Sequence, residues 1–131
     1  MKKDRILNPA LIQAIAAIGH TEYFVIADAG LPIPKGVEVI DLSLTKGIPH
    51  FSQTLEAVLT ELVVEQYYVA CEMSEKSASL YEDTQEALCN CKKQEVSHET
   101  FKAMLPQAKV VVRTGETTPY ANIILVAGVN F

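Results

Sequence analysis

The sequence predicts a single α/β domain, a three-layer sandwich in which helices cover a mainly parallel sheet. Short apolar runs suited to buried strands, such as Tyr23 to Ala27 and Val110 to Val112, alternate with segments of helical periodicity. The connections between them are short and are marked by glycine and proline. A chain of 131 residues with 49% hydrophobic content can bury one real core but not two ordinary ones, so residues 1–131 are read as one domain.

Taken in order, Asn8 caps a first helix whose first position is Pro9. Leu11, Ile12, Ile15 and Ile18 recur at helical spacing until Gly19 and His20 end it. Tyr23 to Ala27 is a buried strand with Asp28 at its carboxyl end, and Gly30, Pro32, Pro34 and Gly36 make DAGLPIPKG a stiffened loop. Val37 to Leu42 reads as a second strand and Thr45 to Pro49 as a turn. Phe51 to Val64 reads as a helix with Phe51, Leu55, Val58, Leu59 and Leu62 on one side. Tyr67 to Met73 is a further strand, and Ser74 to Lys92 a polar helix forming a solvated outer layer through Glu75, Lys76, Glu82, Asp83 and Glu86. Ser97 caps a short helix that carries His98, Phe101, Lys102 and Leu105 and is closed by Pro106. The last two strands, Val110 to Val112 and Ile123 to Leu125, bracket a polar loop beginning at Arg113. Such loops at the ends of buried strands are where α/β folds place ligand sites, although a plain turn has the same signature.

Several function classes are disfavoured. A net charge of −5 without a basic patch argues against nucleic-acid binding. No run is long enough for a membrane span, and no signal peptide is recognisable. Three cysteines, an odd number, do not suggest a disulfide framework and fit a reducing cytoplasm. No P-loop, GxGxxG, GxSxG or zinc-type spacing occurs, so no cofactor, nucleotide or metal is indicated.

Among groups able to do chemistry, His20 follows a helix-ending glycine and precedes a buried strand, and an imidazole of ordinary pKa, about 6.5, transfers protons near neutrality. The plainer alternative is a favourable charge at a helix end. Asp28 either accepts hydrogen bonds from hydroxyls, orients His20, or simply forms a turn. His98 and Lys102, four apart, share a helix face and could reach one ligand or only solvent. Tyr120 and Asn122, two apart at the start of a strand, should point to one face, where an aromatic ring and an amide suit a carbohydrate. Their alternative is a core tyrosine and a turn asparagine. Arg113 and Glu116 read as an ion pair shaping the loop, and His50 as structural.

RTGE at Arg113 to Glu116, PYANIIL at Pro119 to Leu125, GHT at Gly19 to Thr21 and DAGLPIP at Asp28 to Pro34 occur in this order in a chain that closes on AGVNF. With this set of motifs, the sequence resembles the D-ribose pyranase family nearly end to end. The resemblance implies a cofactor-independent isomerase that interconverts the β-pyranose and β-furanose forms of D-ribose by acid/base-assisted ring opening and closure. It implies His20 as proton donor, with Asp28, His98, Lys102, Tyr120, Ala121 and Asn122 holding the sugar. It further implies a cytoplasmic enzyme of ribose catabolism, acting ahead of a ribose kinase. The implied assembly is a ring-shaped homodecamer of two stacked pentamers with sites near subunit boundaries. The alternatives are an L-fucose-type mutarotase, whose family shares a related RTGE region, and a non-catalytic cytoplasmic sugar-binding protein. An interaction module is a third.

Overall fold

A computed structural model describes all 131 residues. Six strands form one sheet in the order β2-β5-β1-β6-β3-β4. They are β1 (Tyr23–Ala27), β2 (Glu38–Asp41), β3 (Val64–Ala70), β4 (Lys92–Val96), β5 (Ala108–Arg113) and β6 (Ile123–Ala127). The helices are α1 (Pro9–Ala17), α2 (Phe51–Leu59), α3 (Glu72–Lys76), α4 (Ala78–Ala87) and α5 (His98–Met104), the last followed by a 3-10 turn, Leu105–Gln107.

Strand alternation sorts the core into two layers. Phe24, Ile26, Val110, Val112, Ile123 and Leu125 pack with Leu11 of α1, Phe51, Leu55 and Val58 of α2, and Met73 of α3. Their neighbours Val25, Ala27, Val111 and Ile124 turn to the opposite face and meet Leu31, Phe101 and Leu105. Both faces are covered, so the central strands are apolar without interruption and the three-layer expectation holds. The cap of α1 is as read, with the Leu11 N–H donated to Asn8 Oδ1 at 3.0 Å. Ser97 likewise accepts from the Thr100 N–H at 3.1 Å.

Two local expectations are corrected. The polar segment from Ser74 is no single helix, because Ser77 leaves helical geometry at φ −143° and donates its hydroxyl to the Pro119 carbonyl. Its last residue, Lys92, opens KKQEV, the edge strand β4, whose lysines blunt the exposed side of the sheet. The second helix stops at Leu59, five residues before β3 begins at Val64. Within the mainly parallel sheet β6 runs antiparallel between β1 and β3, while the β1–β5, β2–β5 and β3–β4 pairs are parallel. The reversal of β6 positions the site: its entry loop arrives at the edge where β1, β3 and β5 end.

Candidate functional site

That carboxyl edge gathers polar groups from four elements. Asp28 follows β1, and its N–H donates to Asn122 Oδ1 at 2.8 Å while Asn122 Nδ2 donates to Asp28 Oδ2 at 3.0 Å. The Gly30 N–H adds a third bond, to Asp28 Oδ1 at 2.9 Å. Asn122 is only 1% exposed, so it braces the carboxylate from below. A carboxylate has about four lone-pair positions, and these bonds leave acceptor capacity at Asp28. Asp28, Gly30, Leu31, Pro32, His98, Pro119 and Tyr120 line a cavity of about 320 Å³. A depression of about 410 Å³ adjoins it, formed by Asp28 to Gly30 and Glu116 to Pro119.

Two aromatic side chains meet at this cavity. The His98 ring lies 5.0 Å from that of Tyr120 at an interplanar angle of 82°, an edge-to-face contact. His98 Nδ1 is buried without a hydrogen-bond partner. The backbone N–H of His98, at the start of α5, donates to both oxygens of Glu72 at 3.1 Å. Bonds from the Cys71 thiol and from backbone N–H groups hold the Glu72 carboxyl below the usual range, so it is an anion at this helix start.

The loop after β5 is equally determined. Glu116 accepts from the Phe51 N–H at 3.0 Å and from the Thr118 hydroxyl at 2.9 Å. Burial pushes its pKa up, but the bonds from Phe51 and Thr118 outweigh this and the net direction is down. Gly115 leaves no room for a side chain, since a Cβ there would lie 2.5 Å from the Thr45 and Ile48 carbonyl oxygens.

The expected residues divide into two groups. Asp28, His98, Tyr120 and Asn122 converge, whereas His20 stands at the other edge of the sheet, ahead of β1. Its Nε2 is 3.0 Å from Glu65 Oε2 and its side chain is 50% exposed. Five residues of β1, at about 3.3 Å each, separate the edges by roughly 16 Å, so Asp28 does not orient His20 of its own chain. Lys102 pairs with Glu99 at 2.8 Å and is absent from the cavity lining. Ala121 is fully buried in the core, leaving only its backbone for a ligand. Tyr120 precedes β6 in a turn with φ 60°, so strand alternation does not govern it: its ring lines the cavity while Asn122 lies beneath. Arg113 meets Asp41 at 3.6 Å, not Glu116. Glu65 and Glu72 were not singled out by the sequence, which marks neither beyond a lone acidic residue near a strand.

A larger hollow of about 430 Å³ between α2 and α4 is lined by Glu56, Asp83 and Glu86 but by no histidine, lysine or arginine. No group of three or more His, Cys, Asp or Glu is placed to hold a metal ion, and no helix is long and apolar enough to cross a membrane.

Comparison with known proteins gives a consistent result. The profile of the RbsD / FucU transport protein family matches residues 1–130. A D-ribose pyranase of Coprothermobacter proteolyticus is 53% identical over the full length of both chains. One from Geobacillus thermodenitrificans is 51% identical, covering all of this chain and 99% of the other. Among solved structures, Bacillus subtilis RbsD complexed with D-ribose superposes over both whole chains with a TM-score of 0.97 at 45% identity. The fucose mutarotase of Streptococcus pneumoniae in complex with L-fucose superposes over 95% of each chain with a TM-score of 0.81; at 21% identity this is a likeness of fold.

Proposed function

The chain belongs to the RbsD / FucU transport protein family, and we propose that its site performs the D-ribose pyranase reaction. It is an isomerase that interconverts the β-pyranose and β-furanose forms of D-ribose. The observation that carries this reading is the braced Asp28 carboxylate facing a cavity beside His98 and Tyr120, in a chain so similar to a ribose-bound relative. Sugar hydroxyls need fixed acceptors and donors, and an apolar sugar face needs an aromatic surface. Asp28 accepts from hydroxyls, Tyr120 covers the ring and the unpartnered His98 Nδ1 takes another polar group of the sugar. Asn122 holds Asp28, Ala121 presents its backbone, and Lys102 contributes only if it leaves Glu99.

Opening the cyclic hemiacetal requires a proton delivered to the ring oxygen and another removed from the anomeric hydroxyl. Closure by a different hydroxyl makes the other ring. His20 is the proton donor, and positioned acid and base groups contribute about 10² to 10⁴ in rate. A monosaccharide cannot span the roughly 16 Å between the two edges of one sheet. The working site therefore joins His20 of one copy to the Asp28 cavity of its neighbour, in the ring-shaped decamer that the family resemblance implies. Leu44 and Ile48, 79% and 52% exposed, are apolar surface that such packing would cover. The enzyme works in the cytoplasm, supplying the furanose form for ribose catabolism. Proton NMR saturation transfer on D-ribose tests the reading: accelerated exchange between β-pyranose and β-furanose signals is expected, whereas unchanged exchange with folded protein would redirect it to L-fucose mutarotation or to binding alone.

A further inference from the structure

The backbone around His20 is arranged to bring one carboxylate to its ring. We propose that Glu65 is a positioning residue for ring opening: it holds the His20 imidazole through Nε2, so that the proton exchanged with the sugar passes at Nδ1. The inference rests on His20 being the proton donor.

The contact itself is 3.0 Å between His20 Nε2 and Glu65 Oε2. Glu65 is an inserted residue, because Val64 pairs with Ala127 and Gln66 with the next residue along β6, Val126. A bulge of this kind re-aims a side chain out of the strand's alternation. Gly128 lies against it: a Cβ there would stand 3.1 Å from Val63 Cγ1 and 3.4 Å from Glu65 Cβ. Across the same edge β5 skips Lys109, since Tyr23 pairs with Ala108 and Phe24 with Val110. The Lys109 ammonium lies 3.8 Å from Glu22, whose other oxygen accepts from the Gly19 N–H at 2.7 Å. The nearer carboxylate in sequence is thus engaged elsewhere, and Glu65 serves the histidine.

The turn carrying His20 is also constrained. Thr21, a β-branched residue, has φ 71°, and its N–H donates to the Ala127 carbonyl at 2.9 Å. Residues held in this region against their preference gather at functional sites. The turn fixes the backbone of His20, and Glu65 fixes its ring.

The chemistry follows from the two ring nitrogens. A neutral imidazole that donates Nε2–H to a carboxylate carries its free lone pair on Nδ1, and the imidazolium carries a transferable proton there. In ring opening that proton passes to the ring oxygen as the bond from this oxygen to C1 breaks, with the bonding electrons remaining on oxygen. The anomeric O–H proton leaves to water or to a base of the cavity, and the C1 carbonyl forms. Attack of the 4-hydroxyl on C1 returns its proton to Nδ1 as the C1 carbonyl π bond opens, and the carbonyl oxygen regains a proton from the same water or cavity base, which closes the furanose.

The test compares Glu65→Ala, Glu65→Gln and His20→Ala by ribose exchange kinetics, with ¹⁵N shifts of the His20 ring nitrogens. Both side chains of the pair are about half exposed, at 50% and 45%, so removing Glu65 should leave the fold intact. Glu65→Ala is expected to lower kcat roughly 10- to 100-fold with KM little changed, and to lose the preference for the Nε2–H tautomer. Glu65→Gln keeps an acceptor oxygen at the same reach and should recover part of both. A wild-type kcat and an unchanged tautomer in Glu65→Ala, with His20→Ala inactive, would overturn the role of Glu65 alone. Activity in His20→Ala would overturn the proton-donor assignment beneath it.

Discussion

The two edges of the sheet hold their polar groups in opposite ways. At the carboxyl edge Asp28, Asn122, Glu116 and Glu72 are tied to one another or to backbone N–H groups, and Asn122 and Thr114 are buried. At the amino edge His20 is half exposed on a strained turn and has a single side-chain partner. The first edge is a preformed polar cavity, which in the proposed function receives the hydroxyls of the sugar. The second presents one titratable group whose use depends on what is placed before it. In the proposed function, specificity and proton transfer are thereby separated within a chain and reunited by assembly.

The largest expected effect breaks the reactive edge. His20→Ala should slow pyranose–furanose exchange about 10²- to 10⁴-fold with unchanged circular dichroism, because the side chain supports little of the fold; near wild-type exchange would dissolve the distinction between the edges. Breaking the receptor should differ in kind. Asn122→Ala leaves the Asp28 N–H without its partner and should cost about 1–3 kcal/mol in urea unfolding while raising KM for ribose. A rise in KM without loss of stability would mean that Asn122 meets the sugar directly rather than bracing Asp28.

Gly115→Ala sharpens the contrast without touching a hydroxyl-binding group. Its methyl would press on the Thr45 and Ile48 carbonyls, which should destabilise the fold by about 1–3 kcal/mol, read from the urea midpoint. The smallest effect is a pH dependence. Because the folded pKa of Glu116 lies below its unfolded value, its contribution is complete above the usual carboxylate range. It is lost as pH falls through the folded pKa. Acid unfolding of Glu116→Gln should consequently show a shallower fall in stability over that window than wild type, and identical slopes would argue against the depressed pKa.

Much of this architecture could be read from residue order. The caps at Asn8 and Ser97, the buried run Tyr23–Ala27 and the placement of Asp28 at its end are local events, decided within a few residues. The polar edge strand β4 was hidden because KKQEV has no apolar alternation, and its pairing with β3 is a tertiary matter. Ser77 interrupts the outer helix through a bond to Pro119, 42 residues away, which no local pattern announces. For the same reason Tyr120 and Asn122 were expected to share a strand face, whereas the left-handed Tyr120 sends them to different tasks. GHT and DAGLPIP were legible as motifs, but their separation across the sheet appears only once β1 is laid out between them. Glu65 owes its aim to a bulge set by the register of β6, so its sequence neighbours say nothing of it.

The joining of two edges from neighbouring copies is tested most directly by complementation. His20→Ala and Asp28→Ala, carrying different tags, are co-expressed, purified through both tags and assayed by saturation transfer on D-ribose. Random assembly of two inactive variants should leave roughly a quarter of the sites with both edges intact, and exchange should return in that proportion. Mixed assemblies no more active than either variant alone would contradict a site shared between subunits.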